Sequence, residues 1–390
     1  MTSAPTALPL TLLATAGCIS VAGMRMTDPL LHVIASDFGT TIPALAVVVA
    51  AFTLPYGLCQ ILLGPLADRF GKLRVMTAAL ALLTLANLAC ALSGTVEGLT
   101  LARLAAGGAS AAVVPLGMAY VADAVDYQQR QITLSRYLNG TVMAQMMAGP
   151  LGGIFGQFLG WRGVFLVLAA GTAAIAAVLA RRLPTLPDRR GSATFAAANY
   201  LAMARSPVAR VVLLAAVIDG AVLMGSFPFL APYMHEAFGL SYAEVGLVLA
   251  CFGLGAMAYV RAARWIIPRL GEARMVALGG AIMAAAVAAI VLLPPQPAFV
   301  AGLVAAQLAI GAGFYLLHGV LQARATEMLP HARATAVASF ALMLFIGQSI
   351  GALAMGGLIA KLGYQGAFLC DAVAILLLAA WLAPVLRRNR

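Results

Sequence analysis

The chain is a succession of apolar runs, most of them twenty or more residues long, separated by short polar joints. A run of that length crosses a ~30 Å hydrocarbon core as a helix. The runs lack the polar–apolar alternation of membrane barrel strands, so they read as helices. Composition agrees: 63% of the 390 residues are hydrophobic and 9% charged, more apolar surface than a soluble fold can bury. The expected architecture is an all-α integral membrane protein with twelve spans. They lie at about 8–36, 43–66, 74–94, 97–122, 134–159, 163–183, 207–234, 243–263, 273–293, 297–323, 334–360 and 365–386. An even number of crossings puts both termini on one side.

Basic residues choose that side. Arg69, Lys72, Arg74, Arg130, Arg136, Arg181, Arg182, Arg189, Arg190, Arg205, Arg210, Arg261, Arg264, Arg269, Arg274, Arg324, Arg333, Arg387, Arg388 and Arg390 share one face, 20 of the 24 Lys and Arg. The positive-inside rule makes that face cytoplasmic, and the expected setting is a bacterial inner membrane. The net charge of +11 is then topological; it suits contact with anionic lipid and calls for no nucleic-acid partner. Cys18, Cys59, Cys90, Cys251 and Cys370 all fall inside spans and read as packing. No metal-ligand spacing, nucleophile–base constellation or Walker loop occurs, so no cofactor, metal, ATP or enzymatic activity is expected.

The chain also repeats itself. GPLADRFGKLR, from Gly64 to Arg74, returns as RWIIPRLGEAR, from Arg264 to Arg274, with Asp68 replaced by Pro268. Phe38-Gly39 returns as Phe238-Gly239. Gly152-Gly153, Gly160-Trp161 and Phe165 return as Gly356-Gly357, Gly363-Tyr364 and Phe368. The polar stretch from Pro184 to Pro207 separates the copies. The expected domains are a six-helix bundle over 1–183, a cytoplasmic linker over 184–206 and a second bundle over 207–390. Repeats of this kind mark alternating-access transporters, whose site lies between the copies near the midplane.

Three motifs carry a resemblance to the major facilitator superfamily along the whole chain. They are Gly64, Asp68, Arg69, Gly71 and Lys72 between spans 2 and 3; Leu99, Arg103 and Gly107 in span 4, with Ala106 where Gln is usual; and Ala148-Gly149-Pro150-Leu151-Gly152-Gly153 in span 5. The last resembles the antiporter motif with its Gly-Pro step displaced by one residue, and points toward drug:proton antiporters. The resemblance implies a monomeric secondary transporter of small molecules driven by protons. It implies that Asp68 latches onto the start of span 11, near Ala334, in the outward-facing state. It makes Arg103 a partner in proton exchange, where residue chemistry alone also allows an arginine snorkelling to the interface.

Intramembrane charges are costly and face protein or water. Arg25, Asp28 and His32 share one helical face of span 1, and Pro29 must kink that helix. Asp28 reads either as a proton site tuned by Arg25 or as an N-cap restarting the helix. Asp219, near the middle of span 7, has no opposite charge at helical spacing. It suits a proton carrier, a cationic-substrate site, or a hydrogen-bonded packing residue. Asn139, Gln145, Gln307, His318 and Gln348 are cavity candidates, as are Tyr56, Phe227 and several methionines. Asp123 and Arg130, with Glu327 and Arg333, read as charge-network residues. The favoured reading is proton-coupled efflux of small amphiphilic compounds. Sugar or metabolite transport is the alternative, and a channel or receptor the different class.

Overall fold

The computed structural model describes residues 10–125, 127–186 and 197–388, and all their regular elements are helical. The side chains of Asn139, Arg130 and Ala334, singled out above, lie outside the described residues. The helices are α1 (Leu10–Arg25), α2 (Leu31–Asp37), α3 (Ala46–Phe70), α4 (Lys72–Leu92), α5 (Val96–Ser110), α6 (Val113–Ala124), α7 (Tyr127–Arg182), α8 (Ala197–Arg205), α9 (Pro207–Asp219), α10 (Leu230–Phe238), α11 (Tyr242–Leu292), α12 (Val300–Glu327) and α13 (Arg333–Arg388). Local chemistry sets several starts. Thr95 accepts from the Gly98 amide ahead of α5, and Ser241 and Glu244 form a reciprocal capping box on α11. Within the expected linker, the Ala-, Leu- and Met-rich stretch 197–205 folds as α8 instead of remaining a plain connection.

Nine helical stretches among the described residues are long and apolar enough to cross a membrane. Three of them, Met143–Thr185, Tyr242–Leu292 and Thr335–Arg387, run 43, 51 and 53 residues. Each is about twice the ~20 residues one crossing needs. Each also turns at a glycine with non-helical backbone: Gly160, Gly271 or Gly363.

The described glycines with positive φ come in matched pairs. Gly39 and Gly239 have φ of 61° and 67°, Gly71 and Gly271 98° and 66°, and Gly160 and Gly363 70° and 68°. These are the glycines of the sequence echoes. A side chain would be strained at each, which accounts for why the turns kept glycine while neighbouring residues diverged.

Two matched helices are broken. α1 ends at Arg25, because Pro29 has no N–H for the Arg25 carbonyl. A 3₁₀ turn over Asp28–Leu30 follows, closed by the Leu30 amide on the Thr27 carbonyl at 3.0 Å. In the second copy α9 ends at Asp219, a π-turn covers Gly220–Met224, and a 3₁₀ turn over Phe227–Phe229 is closed by the Phe229 amide on Ser226 at 3.0 Å. Pro29 and Pro228 are the middle residues of their turns.

Close packing is repeated as well. A Cβ on Gly107 of α5 would lie 2.0 Å from the Phe52 carbonyl oxygen of α3, and one on Gly311 of α12 would lie 1.8 Å from the Phe252 carbonyl of α11. Small residues let these backbones touch without a side chain between them. Gly107→Ala and Gly311→Ala should each lower stability by about 1–3 kcal/mol, through overpacking against backbone that cannot yield. Gly108→Ala, which would meet Cys59 Sγ at 3.4 Å, should leave the melting temperature of the detergent-purified protein near wild type.

Candidate transport site

The broken helices meet. The guanidinium of Arg25, at the end of α1, sits 5.3 Å from the ring centre of Phe227 in the second break. Its Nη2 donates to Met224 Sδ at 3.2 Å, and its Nη1 to Asp28 Oδ2 at 3.3 Å. Asp28 opens the 3₁₀ turn from inside and caps no helix; Thr27 precedes it and also makes no side-chain cap bond. The N-cap reading therefore falls, and the Arg25–Asp28 pair is the feature the first break presents.

That pair forms the polar end of a cavity of about 290 Å³. Gln145, Met146 and Gly149 of α7, Met224 and Phe227 of the second break, residues of α11 from Leu249 to Val260, and Phe314 and Tyr315 of α12 complete the lining. The wall is thus apolar and rich in Met and Phe, with one compensated charge pair at one end. Such a surface suits an amphiphilic molecule, with thioethers and rings adapting to its apolar body.

One end of the cavity is closed. A Cβ on Gly152 of α7 would meet the Met26 carbonyl oxygen at 2.1 Å, and one on Gly153 the Tyr242 carbonyl oxygen at 2.1 Å. Gly149 packs against Gly246 of α11. The glycine stripe therefore wedges α7 between the first break and the second copy. On the same side His32 Nδ1 lies 3.3 Å from Glu236 Oε1, and the His32 and His235 rings are 4.9 Å apart. α3 and α13 close beside them, with Thr53 and Ser349 hydroxyls 2.7 Å apart and the Tyr56 and Phe345 rings at 4.6 Å. Toward the basic face the lining follows α11 as far as Val260.

At that basic face the described ion pairs stay within each copy. Lys72 pairs with Asp123. Arg324 donates to Glu272 at 2.5 Å and lies 3.6 Å from Glu327. Asp68 is half-buried beside exposed Arg69 and has no ion pair or side-chain hydrogen bond among the described residues. Gly64 and Gly71 stand at the end of α3 and at the turn into α4.

Other candidates sit elsewhere. Asp219 is not unpaired: His318 Nδ1 lies 2.7 Å from its Oδ2, while its Oδ1 has no partner. The sequence hid this pair because its members are 99 residues apart. His318 does not line the cavity; its ring stacks 4.6 Å behind Phe314, which does. Tyr56 is packed between Phe52 and Phe345, and Gln348 is buried where α13 crosses Gly220; neither is in the lining. Arg103 does not snorkel. It is buried, donates to the Gly23 carbonyl at 2.9 Å and lies 4.2 Å over the Phe52 ring. Gln307 is buried with neither amide atom partnered.

One group escaped the sequence reading. Asp371 of α13 is buried, and its Oδ2 lies 2.9 Å from Ser226 Oγ, next to Phe227 of the lining. The signal was present: a lone acid inside the run 365–386.

The Asp219–His318 pair yields a stability prediction. His318→Phe removes one partner of a buried pair and should destabilise by about 3–5 kcal/mol. The double variant Asp219→Leu/His318→Phe should recover most of that loss in a double-mutant cycle of thermal denaturation.

Comparison with known proteins places the architecture. The sequence model of the Major Facilitator Superfamily matches residues 13–318 and 212–390. The probable transporter SCO4007 of Streptomyces coelicolor is 30% identical over 98% of this chain and 88% of its own. A chloramphenicol resistance protein of Streptomyces lividans is 27% identical over 74% of each chain. Among solved structures, a bacterial homologue of the human lysosomal transporter Spinster, in an inward-facing and occupied conformation, aligns with a TM-score of 0.81 at 19% identity, covering 98% of both chains. A mutant of the nucleoside transporter NupG aligns at 0.82 with 15% identity, over 96% of this chain and 99% of its own. At these identities the likeness is one of fold.

Proposed function

Because the chain belongs to the major facilitator superfamily, a family of non-enzymatic membrane transporters, we propose that it exports small amphiphilic compounds in exchange for protons. The observation that carries this reading is the Arg25–Asp28 pair at the polar end of an apolar cavity between two broken helices. Broken helices at a repeat interface place charge and backbone groups where a transporter binds its cargo. The likeness to a chloramphenicol resistance protein supports export of a drug-like substrate.

Twelve crossings in two bundles, joined over 184–206, would rock about this cavity. The basic face is cytoplasmic in this reading, so the structure is inward-open. Asp28 is the exchanging acid. Ionised, it holds Arg25; protonated, it releases Arg25 and changes what the cavity offers a substrate. Arg103 fixes the Gly23 carbonyl just before the break, which gives it a positioning role at this site. A proton drives transport only through its different affinity for the two states. Asp219 and His318 stand behind Phe314 as a second buried pair, hydrogen-bonded at 2.7 Å.

In this account the loop motif acts in the opposite state. Asp68 is free of partners among the described residues while the basic face is open, and on closure it would accept from the first amides of α13, where the helix dipole favours an anion. The second copy has Pro268 at that place and cannot supply the same bond. Asp68→Asn should shift the state ratio toward inward-open roughly two- to tenfold, the worth of one hydrogen bond. Cysteine-accessibility labelling from the two faces reads that ratio.

The functional test uses the purified chain in proteoliposomes with chloramphenicol as probe. A pH gradient should drive its accumulation, and collapsing the gradient should abolish it. Asp28→Asn should lose the gradient-driven component. Accumulation that survives gradient collapse would contradict proton coupling.

A further inference from the structure

Around one hydroxyl in the second break there are more acceptors than its proton can serve. Ser226 Oγ lies 2.8 Å from the Val222 carbonyl oxygen, 3.1 Å from the Leu223 carbonyl oxygen and 2.9 Å from Asp371 Oδ2. A serine hydroxyl brings one proton and two lone pairs, and a carbonyl oxygen brings no proton. Of the three neighbours only the carboxyl group of Asp371 can carry a proton of its own. With that proton present every contact is satisfied: the carboxyl donates to Ser226, and Ser226 donates to the helix carbonyls. Without it, a carboxylate buried inside an apolar segment would depend on one hydroxyl that two carbonyls also claim. No cation among the described residues pairs with Asp371, and Ser226 is the polar side chain that meets its carboxyl. A charge held so is costly within hydrocarbon.

We propose that Asp371 is a second proton-binding site of the transport cycle, loaded in the inward-open state and linked to the substrate cavity through Ser226. The proposal rests on the proton-coupled reading above and extends it to a residue of the second copy. The link is a single stretch of backbone. Met224 and Phe227, which seat the Arg25 guanidinium, lie two residues before and one residue after Ser226. Loss of the Asp371 proton forces the Ser226 hydroxyl to turn from the helix carbonyls to the carboxylate. That rearranges the π-turn and 3₁₀ junction holding Met224 and Phe227, and so alters the setting of the Arg25–Asp28 pair. The first copy thus carries a charged pair at its break and the second a protonated acid at its own.

Infrared difference spectroscopy on the purified full-length protein decides protonation without any substrate. Wild type minus Asp371→Asn should show the carbonyl stretch of a protonated carboxylic acid at neutral pH. Ser226→Ala should shift that band, and it provides an independent reading should Asp371→Asn fold poorly. A spectrum with no such band, or with a carboxylate band in its place, overturns the proposal. In proteoliposomes with chloramphenicol, Asp371→Asn should lose one transported proton per substrate. The band with an unchanged proton-to-substrate ratio would make Asp371 a packing residue and also overturn it. Absence of gradient-driven transport in wild type would instead sink the coupling reading, while the infrared band would still report on Asp371.

Discussion

Everything at the centre of this molecule depends on how closely α7 can approach its neighbours. Gly152 lies against the Met26 backbone at the first break, and Gly149 and Gly153 lie against α11. At Gly152 and Gly153 even a methyl group would collide with the facing backbone, while at Gly149 it would meet α11 at ordinary contact distance. With these contacts made, the two copies are in backbone contact at one end of the cavity. The cavity is the wedge of space that follows, and the broken helices bring Arg25, Asp28, Met224 and Phe227 to its closed end. Pro150 takes part in the wedge with the glycines: a Cβ on Gly246 of α11 would lie 2.6 Å from the Gly149 carbonyl oxygen and 2.7 Å from the Pro150 Cα.

Each of three buried acids in the bundle meets a polar side chain of its own. Asp28 has Arg25, Asp219 has His318, and Asp371 has Ser226. Each acid sits at or beside a discontinuity of a helix or against the segment that forms one. In the proposed exchange this is where a proton gained or lost would have mechanical consequence, because a 3₁₀ or π turn is held by few backbone hydrogen bonds and can exchange them. A proton on a rigid helix would change charge alone; a proton beside these breaks also changes which carbonyls are satisfied.

Much of the fold was legible because membrane helices and tight turns impose simple rules. Apolar run length marked the stretches that fold as long membrane-type helices, Pro29 marked the break in the first span, and the repeated glycines marked turns whose positive φ only glycine adopts easily. The Arg25–Asp28 pair was legible because its members are three residues apart on one helix. His318 as the partner of Asp219, and Ser226 as the partner of Asp371, were not legible, because those contacts join residues 99 and 145 positions apart. The π-turn at Gly220–Met224 left no clear sequence mark either; it lies where Gly220, at its start, and Gly225, just after it, pack against the α13 backbone. His318 and Gln348, chosen as polar cavity groups, and Tyr56, chosen with Phe227 for an apolar pocket, are instead taken up in helix packing outside the lining.

The central claim is that cargo and proton exchange at one cavity. Proton release on binding measures this without membranes or gradients. Chloramphenicol added to the detergent-solubilised protein in weak buffer should release protons, since an exchanger's cargo favours the deprotonated form. The release should fall in Asp28→Asn by the share that Asp28 carries. Saturable binding of the probe with no proton released, or with protons taken up, would contradict exchange at this site.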